Sequence, residues 1–327
     1  MTFPVLSIQT RATLFAHLAA MEKAGLSPEH AFSLLKLPGK DQPRVQATRK
    51  LLLRGQDVAS AAAKSGLFTD LETKLVRAAC NAGSPQLSYS RLATRYALKA
   101  RQSSQIKSRL SMPLLVLLMA LLVQPLPALV AGSISGSMYL FSVIRPFVIL
   151  IGLVALFRFV AVRLTQTTNP PSAIQINLSR ALIQFPLLGT MWVRRNRRDF
   201  YENLALLTEA GIPMQDAVKL AQQTVSLCVV RTDFGQLTTR LLQGDSLTQA
   251  VAHLHYQRQF AGNYSEHSFV QTGEASGTLP EMLLRFADGE SAALAQQQAQ
   301  LAEWLPRLFY LGVCGWMAYQ ILQQKII

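Results

Sequence analysis

Acidic residues are scarce in this sequence: 18 Asp and Glu stand against 32 Lys and Arg in 327 residues, a formal charge of +14. Charge of either sign is thin as well, at 15% of the chain against 50% hydrophobic, where an ordinary globular domain is about 25% charged. That balance leaves two classes open, a membrane protein with basic cytoplasmic parts or a nucleic-acid binder. Cysteine is rarer still. Cys80, Cys228 and Cys314 are odd in number and far apart, which argues against a disulfide framework and a zinc site, whose ligands must cluster. They read as reduced, structural residues, the first two facing the cytosol. The N-terminus "MTFPVLSIQTRATLFAHLAAMEKAG" lacks a charged segment followed by an apolar core and a small-residue cleavage site, so no signal peptide is expected to be cleaved.

Catalytic signatures are missing too. There is no G-x-x-x-x-G-K-[ST], so no nucleotide is cradled by a P-loop. "GSISG", Gly132 to Gly136, imitates a nucleophile elbow but carries Ile134 where the nucleophile belongs. His253 and His255 are two apart, on different sides of any helix, and no H-E-x-x-H accompanies them; they read as surface or packing residues. No catalytic residue, metal ligand or cofactor is expected.

What is present is long uncharged runs and an uneven charge distribution. Residues 1–112 hold 17 Lys/Arg against 6 Asp/Glu, residues 158–305 hold 12 of each, and from Ser111 to Phe157 the one charge is Arg145. Met112–Gly132 is long enough to cross a bilayer, as is Phe141–Val162. Leu305–Leu322 is a third candidate of 18 residues, with Trp304, Tyr310, Trp316 and Tyr319 suited to an interfacial belt. Arg145 is expected at the outer interface, because facing lipid would be costly. Pro125 and Pro127 should kink or end the first span. The flank before that span carries Arg95, Lys99, Arg101, Lys107 and Arg109, whereas the loop "SISGSMYL" has no Lys or Arg, so residues 1–110 are assigned to the cytoplasm. Residues 163–303 return there, and three crossings leave the C-terminus outside.

Both blocks outside the spans read as helical. Phe15, Leu18 and Ala19 recur at three- and four-residue spacing, as do Tyr201, Leu204 and Leu207, and alternating β-branched runs are missing. The fold class is all-α.

The chain also repeats itself. "FAHLAAMEKAGLSPEHAFSLL" (15–35) matches "YENLALLTEAGIPMQDAVKLA" (201–221) at an offset of 186. "LLRGQDVASAAA" (52–63) matches "LLQGDSLTQAVA" (241–252) at 189, and "VRAACNAGSPQLSY" (76–89) matches "VQTGEASGTLPEML" (270–283) at 194. Three matches in one order indicate a duplicated unit. Gly25 and Gly211 sit where a first helix ends in left-handed geometry, and Pro28 and Pro213 follow where the next begins. Gly55 and Gly244 mark a second turn, and Gly83 and Gly277 a third.

"LALLTEAGIPMQDAVKLA", "GDSLTQAV" and "GEASGTLPEMLLRFADGE" resemble the motifs of the type II secretion F domain, found in the inner-membrane platform proteins of type IV pilus and type II secretion machinery. The resemblance covers essentially the whole chain. It departs in the first copy, which has Cys80 where the second has Glu274; the N-terminal extension of many relatives and their proline-terminated third span are also lacking. The resemblance implies two homologous cytoplasmic helical-bundle domains and three transmembrane helices: 1–110 as first repeat, 111–132 and 141–162 as spans, 163–303 as second repeat and 304–323 as the last span. It further implies a multi-pass protein of the bacterial inner membrane that couples a hexameric assembly ATPase to pilin or pseudopilin polymerisation. The expected partners are that ATPase, pilins or pseudopilins, other inner-membrane assembly proteins, lipid and further copies of the chain. Nucleic acid is not expected, since no helix-turn-helix, zinc finger or aromatic-basic platform accompanies the basic N-terminal block.

The residues singled out as structural or interaction motif are Gly25, Gly83, Gly211, Pro213, Gly273, Glu274 and Gly277. Glu274 is read first as a carboxylate satisfying backbone donors at a helix end, and second as a partner contact. Arg194, Arg195, Arg197 and Arg198 are candidates for contact with the ATPase or anionic lipid, against the plainer reading of a solvated helix face. The rival function is a small transporter or channel subunit, which would need ionisable residues along its spans; Arg145 and Arg307 both lie near span ends.

Overall fold

The computed structural model describes residues 5–123, 188–254 and 266–324, together with 135–138 and single positions between 140 and 183. Among the described residues every regular element is a helix, so the all-α expectation holds. In chain order these are α1 (Ile8–Lys23), α2 (Pro28–Leu34), α3 (Gln42–Leu52), α4 (Val58–Lys64), α5 (Asp70–Asn81) and α6 (Pro85–Val123). They are followed by α7 (Leu188–Glu209), α8 (Met214–Gln223), α9 (Cys228–Leu242), α10 (Leu247–Ala252), α11 (Glu266–Ser276) and α12 (Leu279–Gln324). The second six repeat the first in order and in approximate length. The packing repeats as well: α1 lies on α2, α2 on α3, α3 on α4 and α4 on α5, and the same four pairings recur from α7 to α11.

Local sequence explains where these helices stop and start. Gly25 and Gly211 adopt φ of +69° and +80°, a region that a Cβ disfavours. That geometry lets the next amide fold back, Leu26 N to Met21 O at 3.1 Å and Ile212 N to Leu207 O at 3.0 Å, which satisfies carbonyls the helix end would otherwise orphan. Pro28 is then the first residue of α2, and Pro213 is the N-cap of α8. Ser7, Asp57 and Ser246 cap α1, α4 and α10 through their side chains.

The chain divides into two compact units. One comprises Met1–Arg101 and Thr167–Ala292, and the other Gln102–Gln166 and Ala293–Ile327. Both six-helix sets place their cores in the first. There, Phe15 is fully buried and stacks on Phe68 at 5.3 Å. Its counterpart Tyr201 is equally buried and meets Phe286 edge-on at 5.2 Å, while Phe200 stacks on Phe234 at 3.9 Å. Each ring removed from water contributes about 1.5–3 kcal/mol.

Among the described residues no helix is long and apolar enough to cross a membrane. Residues 124–132 of the first expected span, with Pro125 and Pro127, lie outside the described residues, as do most of Phe141–Val162, Ile134 and His255. Arg145 is helical and exposed, and His253 is exposed at the end of α10.

Candidate functional site

The glutamate raised by the sequence turns out to cap a neighbouring helix. Glu274, on α11, accepts from Leu247 N at 2.7 Å and Thr248 N at 2.9 Å, and also from the Thr248 hydroxyl. It therefore satisfies orphan donors at the start of α10, beside the Ser246 cap that α10 carries in its own sequence. Gly273 next to it is a packing device. A Cβ at Gly273 would lie 2.8 Å from Leu279 Cα and 3.2 Å from Met282 Cβ, so its bare backbone is what allows α12 to fold closely against α11. Gly83 and Gly277 make the tight turns between α5 and α6 and between α11 and α12, at φ +70° and +71°.

The arginine stretch is not the solvated face that its composition suggested. Arg194, Arg197 and Arg198 are buried, and only Arg195 of the four is exposed. The reason is supplied from far along the chain. Glu290 on α12 receives Arg194 Nε at 2.8 Å and Nη2 at 3.2 Å. Glu266 at the start of α11 receives Arg197. Arg198 turns to Asp199 at 2.7 Å. Asn196, in the middle of the stretch, accepts from Ser226 N at 2.7 Å and Leu227 N at 3.2 Å, tying α7 to the connection before α9. Burial pushes the Glu266 carboxyl above its ordinary value, against the pull of Arg197.

A related pair sits at the same offsets in the first repeat, and sequence reasoning missed both. Arg11 and Arg197 are 186 apart, and Glu72 and Glu266 are 194 apart, the displacements that align the flanking motifs. Arg11 Nη1 lies 3.4 Å from Glu72 Oε1. The fully buried Glu72 also accepts from the Tyr96 hydroxyl at 2.6 Å and from the Thr69 amide and hydroxyl at 2.6 Å each. Burial and the Glu72 charge push the Tyr96 phenol up to about 12. Extending the alignment four residues upstream at each motif would have found both pairs.

The third group of residues joins the repeats. Arg91, Arg95 and Lys99 are spaced by four and so share one face of α6. They meet α7 in antiparallel order. Arg91 Nη2 is 2.9 Å from Glu209, Arg95 Nε is 3.0 Å from Glu202, and Lys99 Nζ is 3.3 Å from Asp199 and 3.4 Å from Glu202. Arg95 also donates to Asn203 Oδ1 at 2.6 Å. Arg95 and Lys99 thus have carboxylate partners of their own, beyond the juxtamembrane positive charge the sequence assigned them. Burial opposes the Asp199 carboxylate, but Lys99, Arg198 and Arg95 outweigh it and hold its pKa well below the carboxylate range. Burial together with Arg95 lowers the Lys99 pKa despite the acids beside it. Exposed pairs such as Arg91–Glu209 add little stability, and the inner ones lose most of their Coulomb energy to desolvation. The ladder's physical consequence is therefore register: it specifies which turn of α6 meets which turn of α7. Beside it lies a cavity of about 350 Å³ lined in part by Arg11, Tyr96, Lys99 and Asn203.

Chemically, these groups neutralise one another or cap helices. Among the described residues no cluster of three or more His, Cys, Asp or Glu side chains is placed to hold a metal ion.

The comparison with known proteins agrees with this duplicated plan. A family model described as type II secretion system (T2SS), protein F, matches the chain twice, over residues 14–131 and 200–315. The type IV pilus assembly protein PilC of Thermus thermophilus is 24% identical over 321 residues, covering 90% of this chain and 76% of its own length. A type II secretion system protein F of Pseudomonas aeruginosa is 26% identical over 118 residues, 36% of this chain. The protein of the same name from Aeromonas hydrophila is also 26% identical over 118 residues. The matched part amounts to 27% and 29% of those two secretion proteins. With two matches that together take in more than half of its residues, the chain belongs to the type II secretion system protein F family.

Proposed function

We propose that this chain is the inner-membrane platform of a type IV pilus or type II secretion machine, coupling a cytoplasmic assembly ATPase to the polymerisation of pilins or pseudopilins. The observation that carries the reading is the double family match, laid over two six-helix sets with the same order and the same neighbour packing. In this reading 1–110 and 163–303 are the two cytoplasmic repeats, and 111–132, 141–162 and 304–323 are the spans. The uncharged runs and the positive flank before the first of them support that topology. The platform catalyses nothing itself. Its energy comes from the partner ATPase, and its own work is to hold two helical repeats in register and pass movement to the membrane. Copies of the chain associate, since one three-span unit offers little interior for a moving pilin. Among the four arginines, exposed Arg195 is the one suited to touch the ATPase or an anionic lipid headgroup. Glu274, the turn glycines Gly25, Gly83, Gly211 and Gly277, and the packing glycine Gly273, with Pro213, are proposed as the structural frame of the contact surfaces.

Cysteine-accessibility labelling in intact and permeabilised cells tests the topology. Labels in 1–110 and 163–303 should react only after permeabilisation, and reaction of either from the periplasmic side would end the platform reading.

A further inference from the structure

A second cleft lies between the repeats, away from the α6–α7 ladder. It is walled by α5 of the first repeat and α8 of the second, with a volume of about 490 Å³. Lys74 and Arg77 stand on one wall, Lys219 and Asp216 on the other, and Ile212 and Leu220 form a half-buried apolar floor packed against the core. Three cations and one carboxylate line the cleft. Lys74 is paired with Asp70 at 3.0 Å, and Arg77 bonds the Ser60 hydroxyl at 2.9 Å. Among the described residues no ion pair within 4 Å engages Arg77 or Lys219, although the Arg77 charge reaches Asp57 and helps to hold its carboxyl below the ordinary value. Inside the molecule, by contrast, the cations of the repeat junction already have their carboxylates.

We infer that this cleft docks an acidic amphipathic segment of a partner protein, its apolar ridge on Ile212 and Leu220 and its carboxylates on Arg77 and Lys219. The physical case is complementarity. Cations on both rims attract carboxylates and steer their approach, and an apolar floor between them rewards a side chain that leaves water. A lipid headgroup would use the rims but has no need of the floor. Because one wall belongs to each repeat, the segment is held only while the repeats are packed together. Docking therefore reads out, and in turn favours, the closed ladder between α6 and α7. The inference rests on the platform reading for the identity of the partner, which is then the assembly ATPase.

The test uses the full-length chain in detergent micelles and the fluorescently labelled ATPase of the same machine. Affinity is compared for the unchanged chain, Arg77→Glu, Lys219→Glu and the control Lys50→Glu, an exposed cation on α3. Both cleft substitutions should weaken binding at least tenfold, the control less than twofold, and the unchanged chain should bind more weakly as salt rises from about 50 to about 300 mM. Lys219 is exposed and without an ion pair among the described residues, so Lys219→Glu keeps the test open should Arg77→Glu disturb the Ser60 contact. Equal loss in the control would reduce the effect to net charge and overturn the cleft. Full binding by both cleft variants would overturn it too, while leaving the platform reading intact. Loss of binding to vesicles containing phosphatidylglycerol, with ATPase binding retained, would assign the rims to lipid instead. Failure of the unchanged chain to bind in any nucleotide state would overturn both readings.

Discussion

Where α6 of the first repeat carries Tyr96, α12 of the second carries Glu290, and where α1 carries Ile8, α7 carries Arg194. The two positions meet in space in the second repeat. In the second repeat Glu290 is 1% exposed and held by Arg194. In the first, the phenol of Tyr96 donates directly to Glu72, and Ile8 is left 42% exposed with no partner to find. A charge-assisted hydrogen bond from a neutral phenol stands where the second repeat has a buried ion pair. The comparison teaches that the Arg–Glu pair common to both repeats, Arg11–Glu72 and Arg197–Glu266, is the fixed element, and that the group on the last helix adapts to it.

The largest effect expected comes from breaking that exchange in half. Glu290→Tyr alone strands the Arg194 guanidinium in the core, and removing one partner of a buried pair costs about 3–5 kcal/mol. Making Arg194→Ile as well gives the second repeat the chemistry of the first, and most of that loss should return. A double-mutant cycle by urea unfolding reads the coupling directly. Additive effects of the two substitutions would mean that Arg194 and Glu290 do not act as a pair.

A smaller effect separates the repeats at their close helix contact. Position 273 is glycine in the second repeat, and its counterpart in the first is the fully buried Ala79. Gly273→Ala drives a Cβ against the Leu279 backbone, and overpacking of this kind costs about 1–3 kcal/mol. Its melting temperature should fall accordingly. A Gly273→Ala protein that melted with the unchanged chain would show that α12 can move away from α11 freely.

These contrasts also mark what could be read from residues alone. The helical period, the turn glycines at 25, 83, 211 and 277 and the duplication were legible because each is a local signal, set by backbone conformation or by spacing within one helix. Glu274 was legible as a carboxylate for backbone donors, but not which donors, since α10 reaches it only after folding. The arginines of α7 misled for the same reason. Four charges in five residues look solvated until Glu266 and Glu290, separated from Arg197 and Arg194 by 69 and 96 positions, are brought beside them. The α6–α7 ladder was hidden by a competing explanation: positive charge ahead of a membrane span accounts for Arg95 and Lys99 without any need for partners.

The smallest effect concerns one oxygen. Tyr201 occupies the place that Phe15 holds in the first repeat, and its hydroxyl is buried with no hydrogen-bond partner among the described residues. Its pKa is driven far up by burial and by the Glu266 charge, so the phenol stays neutral and the oxygen is a desolvated group that receives nothing in exchange. Such a group costs about 1–3 kcal/mol when it is left unmade. Tyr201→Phe removes the oxygen while keeping the ring against Phe234 and Phe286. The second repeat should therefore gain up to about 1 kcal/mol, the sign opposite to that of most core substitutions. A clear loss of stability would mean that the hydroxyl contributes to the Arg197–Glu266 pair, and that the second repeat has recruited its tyrosine much as the first recruited Tyr96.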